Sequence, residues 1–159
     1  MGRPWAPLPD APAPAASKPR RLTQMRQLAR RFQAGKLRES QEPDMQRLLP
    51  QPIYRYQNME AKVVDGAVFT FVEATDPEAL VLLEAVSDAD GGQWRYAVAR
   101  MTSSPTRFLL DGELIWETKG YWRNPRSRND SYSETFDSNY SESDGPAADP
   151  PAPEGGTQK

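Results

Sequence analysis

The sequence predicts an α+β fold: a small, mostly antiparallel β-sheet of five or six strands, packed with one N-terminal amphipathic helix and flanked by disordered N- and C-terminal tails. Nearly all closely spaced apolar residues fall between Asp65 and Trp116, in short runs rich in β-branched and aromatic residues and separated by turn-forming pairs. One stretch upstream switches to helical spacing. Proline, 16 in 159 residues, lies mostly outside the middle. These observations divide the chain into a Pro/Ala-rich segment over 1–20, a single domain over 21–122 and an acidic Ser/Pro-rich tail over 123–159.

Residues 1–19 hold Pro4, Pro7, Pro9, Pro12, Pro14 and Pro19 among alanines, which favours an extended, solvated segment. Trp5 and Leu8 are isolated by prolines, so no secretory apolar stretch is formed. A cytoplasmic location is therefore expected, or export if the true start site lies upstream. No run reaches the roughly 18–20 apolar residues that cross a bilayer, so no membrane span is expected.

Over 21–35, Leu22, Met25, Leu28, Ala29 and Phe32 form an apolar helical stripe with Arg26, Arg30 and Arg31 mostly elsewhere, and Gly35 is the expected stop. These three arginines are candidate protein contacts. A basic amphipathic helix also suits anionic membranes or phosphates, but Phe32 is its only aromatic residue, and the interleaved aromatics of a single-strand binder are missing. No nucleic-acid partner is expected, because the net charge of −2 combines a basic excess over 1–60 with an acidic one beyond.

Residues 45–56 read as an extended edge segment, since Pro50 and Pro52 cannot donate to a ladder and their spacing puts both missing donors on one edge. Tyr54 and Tyr56 then share one face and Ile53 and Arg55 the other. Strands are expected over 67–74, 79–86, 93–101, 106–110 and 113–117. The second of these competes with a helix capped by Asp76 with Pro77 in its first turn, but eight residues are short for a helix. In the third, Trp94, Tyr96 and Val98 alternate with Arg95, Ala97 and Ala99; the bulky face is expected inward and the small face under the helix. Asp111-Gly112 between two apolar runs signals a type I′ hairpin. A regular hairpin opposes Leu109 to Leu114, Phe108 to Ile115 and Arg107 to Trp116, with the Arg107 guanidinium over the indole. The tail beyond Trp122 is expected to be disordered; in it Tyr132, Phe136 and Tyr140 recur every four residues and could dock on a partner as a helix.

The chain has no cysteine and no histidine. Disulfides, thiolate and imidazole metal sites, cysteine nucleophiles and Ser-His-Asp chemistry are excluded. Paired carboxylates remain, and Glu73 and Glu84 are the best pair. If Ala74 opposed Ala79, both would share a face at roughly 13–14 Å, beyond the about 5–9.5 Å of glycosidase pairs. The glycines occur in turn contexts, with no phosphate-cradling loop, and residues 88–92 read as a solvated hairpin loop.

The blocks Leu-Leu-Pro-Gln-Pro-Ile-Tyr-Arg-Tyr at 48–56, Asp-Gly-Ala-Val-Phe-Thr-Phe-Val at 65–72, Thr-Asp-Pro-Glu at 75–78 and Ala-Arg-Met-Thr-Ser at 99–103 resemble an uncharacterised bacterial family of hypothetical proteins, over roughly 22–122. The resemblance implies no known activity. The functional expectation is a non-catalytic protein-interaction module with a protein partner and no cofactor. The alternative is a small-ligand-binding or hydrolase-like domain with a pocket of Tyr54, Tyr56, Glu73 and Glu84.

Overall fold

The computed structural model describes residues 3–37, 44–87 and 92–119. Ten strands and one helix follow in the order β1 (Arg3–Pro7), α1 (Lys18–Ala29), β2 (Phe32–Lys36), β3 (Asp44–Met45), β4 (Arg47–Leu48), β5 (Tyr54–Asn58), β6 (Val63–Glu73), β7 (Asp76–Val86), β8 (Gln93–Arg100), β9 (Thr106–Leu110) and β10 (Glu113–Thr118). The expected class holds: mostly antiparallel sheet with one helix near the N-terminus. The strands divide between a six-stranded sheet, β1-β8-β7-β6-β4 with β5 also on β6, and a four-stranded sheet, β10-β9-β2-β3. No helix among the described residues is long and apolar enough to cross a membrane.

Period-two alternation on β6, β7 and β8 builds the core. Ala67, Phe69, Phe71, Val81, Leu83, Tyr96 and Val98 point inward, where they meet Phe32 and Ala34 of β2, Phe108 and Leu110 of β9, and Met25, Leu28 and Ala29 of α1. Phe71 meets Phe108 edge-on at 6.1 Å between ring centres. At one end of this core Asp65, fully buried, draws Arg21 of α1 (3.1 Å) and Arg55 of β5 (2.6 Å) onto its Oδ2. Arg21 also donates to the carbonyls of Ala15 and Ala16, which pins the segment leading into the helix. At the other end Lys36 of β2 bridges the sheets by donating to Glu73 (2.5 Å) and Glu78 (2.8 Å). Burial opposes the lysine's charge, but the two carboxylates outweigh it and raise its pKa.

Several local expectations are corrected. Residues 3–7, expected to be unstructured, form an edge strand on β8; an edge tolerates Pro4 and Pro7, whose missing donors need no partner. The helix ends at Ala29, and Phe32, expected in its stripe, heads β2. Phe32 satisfies both periods, and strand pairing of Phe32 to Leu110 and Ala34 to Phe108 decides between them. The helix lies on the bulky side of β8, within the core, and not over Ala97 and Ala99. Residues 76–86 are strand, as preferred over helix, but the turn is Ala74-Thr75: Ala74 takes φ 51° and Glu73 opposes Asp76. In the last hairpin Asp111 (φ 51°) and Gly112 (φ 85°) adopt the left-handed conformations a type I′ turn requires, and Leu109 opposes Leu114. An irregularity at Ile115 then shifts the register, so Phe108 faces Trp116 and Arg107 bonds Glu117 at 2.9 Å. The expected stacking of Arg107 on Trp116 is replaced by that ion pair. The expected loop at 88–92 falls almost wholly outside the described residues.

Candidate functional site

On the face of the six-stranded sheet away from the core, one cross-strand row gathers most of the polar chemistry. Antiparallel register sets Tyr56 opposite Gly66, Gly66 opposite Glu84, and Glu84 opposite Arg95. The Tyr56 hydroxyl donates to Glu84 Oε1 at 2.8 Å, and Arg95 Nε donates to Glu84 Oε2 at 2.6 Å. Arg95 in turn lies over the Trp5 indole, 4.8 Å from the ring centre. At the opposite end Tyr54 stacks on Tyr56 with ring centres 6.0 Å apart and planes inclined by 18°. The row therefore begins and ends in exposed aromatic rings, Trp5 at 39% and Tyr54 at 63% accessibility.

Gly66 makes the row possible. A Cβ there would fall 2.6 Å from the Tyr56 ring carbon bearing the hydroxyl, so the phenol lies flat on backbone that no side chain covers. Burial and the hydrogen bond to Glu84 both raise the Tyr56 pKa well above that of an ordinary phenol. Tyr56 thus keeps its proton, and both Glu84 oxygens are engaged, one by the phenol and one by Arg95. The pair is a fixed electrostatic link across three strands, not a poised acid and base.

Of the four residues expected to line one pocket, Tyr54, Tyr56 and Glu84 are brought together and Glu73 is not. Glu84 opposes Gly66, seven residues along β6 from Glu73, or roughly 20–24 Å. The expected register opposed Glu84 to Phe69; the tighter Ala74-Thr75 turn moves it along the strand. Glu73 belongs instead to the Lys36 bridge.

The three arginines expected on the helix do not form a free basic face, and Arg30 and Arg31 lie beyond its end at Ala29. Arg26 donates to Gln51. Arg31 grips Asp111, with Nη2 to Oδ2 at 2.5 Å, and also donates to the Pro9 carbonyl at 2.8 Å. That grip raises the Arg31 pKa and lowers that of Asp111. Arg30 is exposed and lines a cavity of about 430 Å³ with Met45 and Gln46. Tyr132, Phe136 and Tyr140 lie outside the described residues.

Sequence reasoning missed Arg95 and Trp5. Arg95 was legible, because Glu84 and Arg95 stand equally far from the facing ends of β7 and β8 and so oppose each other. Trp5, alone among prolines, carried no periodic signal.

Around this row the outward positions are mostly apolar, the exception on β6 being Thr70, which is buried at 2% and donates its hydroxyl to the Ala79 carbonyl. Val68, Leu80, Leu82, Ala97 and Ala99 are all only partly buried. Among the described residues, the layers that bury this sheet, α1 and the four-stranded sheet, both pack on its other side. No group of three or more potential metal ligands occurs among the described residues. Compared with protein-family models, curated proteins and solved structures, the chain matches none.

Proposed function

We propose that the chain is a non-catalytic protein-interaction module whose recognition surface is the outer face of the six-stranded sheet. The observation that carries this reading is the outward set Val68, Leu80, Leu82, Ala97 and Ala99. An antiparallel sheet with one face in water ordinarily alternates apolar inward and polar outward; this one keeps apolar side chains on both faces across β6, β7 and β8. Contiguous apolar surface rimmed by aromatic and paired polar groups is the composition of a protein contact. Trp5 and Tyr54 supply rigid aromatic anchors at its two ends, and the Glu84 carboxylate, already buried against Tyr56 and Arg95, leaves little of itself for a partner to desolvate. The blocks that resemble the bacterial family at 48–56 and 65–72 contribute β5 and much of β6 to this sheet, and the likeness belongs to the same proposal.

The test is affinity capture with quantitative mass spectrometry on the full chain, Leu82→Glu and Leu114→Glu. Leu114, 56% accessible on the other sheet, controls for adding a charge to an exposed apolar site. A partner enriched by the wild type and by Leu114→Glu but lost with Leu82→Glu supports the reading. A partner retained by Leu82→Glu overturns it.

A further inference from the structure

A cleft of about 700 Å³ opens between the free edges of the two sheets, β1 on one side and β10 on the other. Its volume falls in the range of small-molecule sites. Tyr96 lines it although only 2% accessible, held by Phe32 at 5.1 Å between ring centres and by the Arg3 guanidinium 5.6 Å above its ring. Its hydroxyl makes no hydrogen bond among the described residues and is not sealed from solvent, so a partner for it must come from the cleft.

The charges around the cleft are separated along its length. At one end Arg3 Nη1 donates to the Ile115 carbonyl at 2.9 Å, which leaves the rest of its fork of donors uncommitted. At the other end Arg31 consumes Asp111 and the Pro9 carbonyl, and this tie sets Asp10 and Glu113 on the rim. Glu113 makes no ion pair among the described residues, and Asp10 lies near enough to Arg31 to feel its charge without bonding it. Arg3 is anchored at Ile115, and Glu113 lies two residues before it on β10, a backbone spacing on the order of 7 Å across the irregularity at Ile115, comparable with two extended residues at about 3.3–3.6 Å each.

We propose that this cleft binds a short peptide with free ends: its carboxylate on Arg3 and the Tyr96 hydroxyl, its ammonium on Asp10 and Glu113, its apolar body against Leu110 and Ile115. A simple anion would meet the two carboxylates, and a simple amine would leave Arg3 unmatched; a ligand carrying both charges a dipeptide's length apart matches both ends. The site faces away from the outer surface of the six-stranded sheet and does not depend on a function for it.

Titration calorimetry of the full chain with dialanine, N-acetyl-dialanine and dialanine amide tests the assignment. Dialanine is expected to bind, and blocking either end to weaken it about tenfold or more. Tyr96→Phe is expected to weaken dialanine about fivefold with an unchanged melting temperature, since the hydroxyl has no internal bond to lose. Glu113→Gln, at an exposed position, weakens dialanine but not its N-acetyl form. No binding of dialanine at millimolar concentration, equal affinity for the blocked forms, or full affinity in Tyr96→Phe would each overturn the proposal.

Discussion

Replacing Gly66 by alanine tests whether the Tyr56–Glu84–Arg95 row is a seated structure or a chance alignment. In a strand, alanine normally improves on glycine by roughly 0.5–1 kcal/mol, because glycine loses more backbone freedom on folding. Here the new methyl would stand 2.6–3.0 Å from three ring carbons of Tyr56. The ring must lift, and its hydroxyl then leaves Glu84 Oε1, a bond to an ionised acceptor worth about 1.5–3 kcal/mol. The net effect expected is a loss of about 1–2 kcal/mol, which at roughly 4 °C per kcal/mol lowers the melting temperature by about 4–8 °C. Thermal unfolding followed by circular dichroism reads this directly. A double-mutant cycle isolates the cause: with Tyr56→Ala already in place there is no ring to displace, so Gly66→Ala becomes neutral or stabilising. If Gly66→Ala melts within a degree of wild type, or costs the same in both backgrounds, the reasoning fails.

Asp65→Ala leaves the Arg21 and Arg55 guanidinium groups without their shared carboxylate and is expected to cost about 3–5 kcal/mol in urea unfolding. Asp111→Asn keeps a residue suited to the type I′ turn but breaks the Arg31 pair; that pair is half-exposed, so the loss is at most about 1 kcal/mol at neutral pH. The Asp111 pKa is lowered on folding, so its contribution is present above the unfolded value near 3.9 and disappears as pH falls through the folded one. Stability curves of wild type and Asp111→Asn should therefore converge in acid and stay parallel above about pH 5. The Tyr56 pKa is raised on folding, so its contribution is present below the ordinary phenol value near 10 and is lost as pH rises through the higher folded one. Ultraviolet difference titration should show a late-ionising component that is lost in Tyr56→Phe.

Local pattern reached far into this fold. Residues 106–110 and 93–100 alternate so regularly, and Asp111-Gly112 is so specific a turn signal, that strand type, face and most of the last hairpin are legible in the sequence. What escaped depends on pairing between distant segments. Phe32 fits a helical stripe and a strand equally well, and only β9 capturing residues 32–36 settles it. The Pro-rich start has no core pattern of its own, yet an open edge on β8 accepts it and buries Leu8. The Glu73–Glu84 pairing failed because a turn shorter by two residues translates one strand along the other. In the candidate site, Tyr54 and Tyr56 were legible from their own spacing; Glu84 with Arg95 required the register of a second hairpin, and Trp5 required the fold.

Methyl NMR of the full chain, titrated with the partner isolated by capture, shows whether the outer face of the six-stranded sheet is what that partner meets. Shift changes are expected to concentrate on Val68, Leu80 and Leu82, with the methyls of Leu114 and of the core residues Val81 and Leu83 little affected. Changes centred on Leu114 or Met45, with Leu80 and Leu82 unmoved, would contradict this reading.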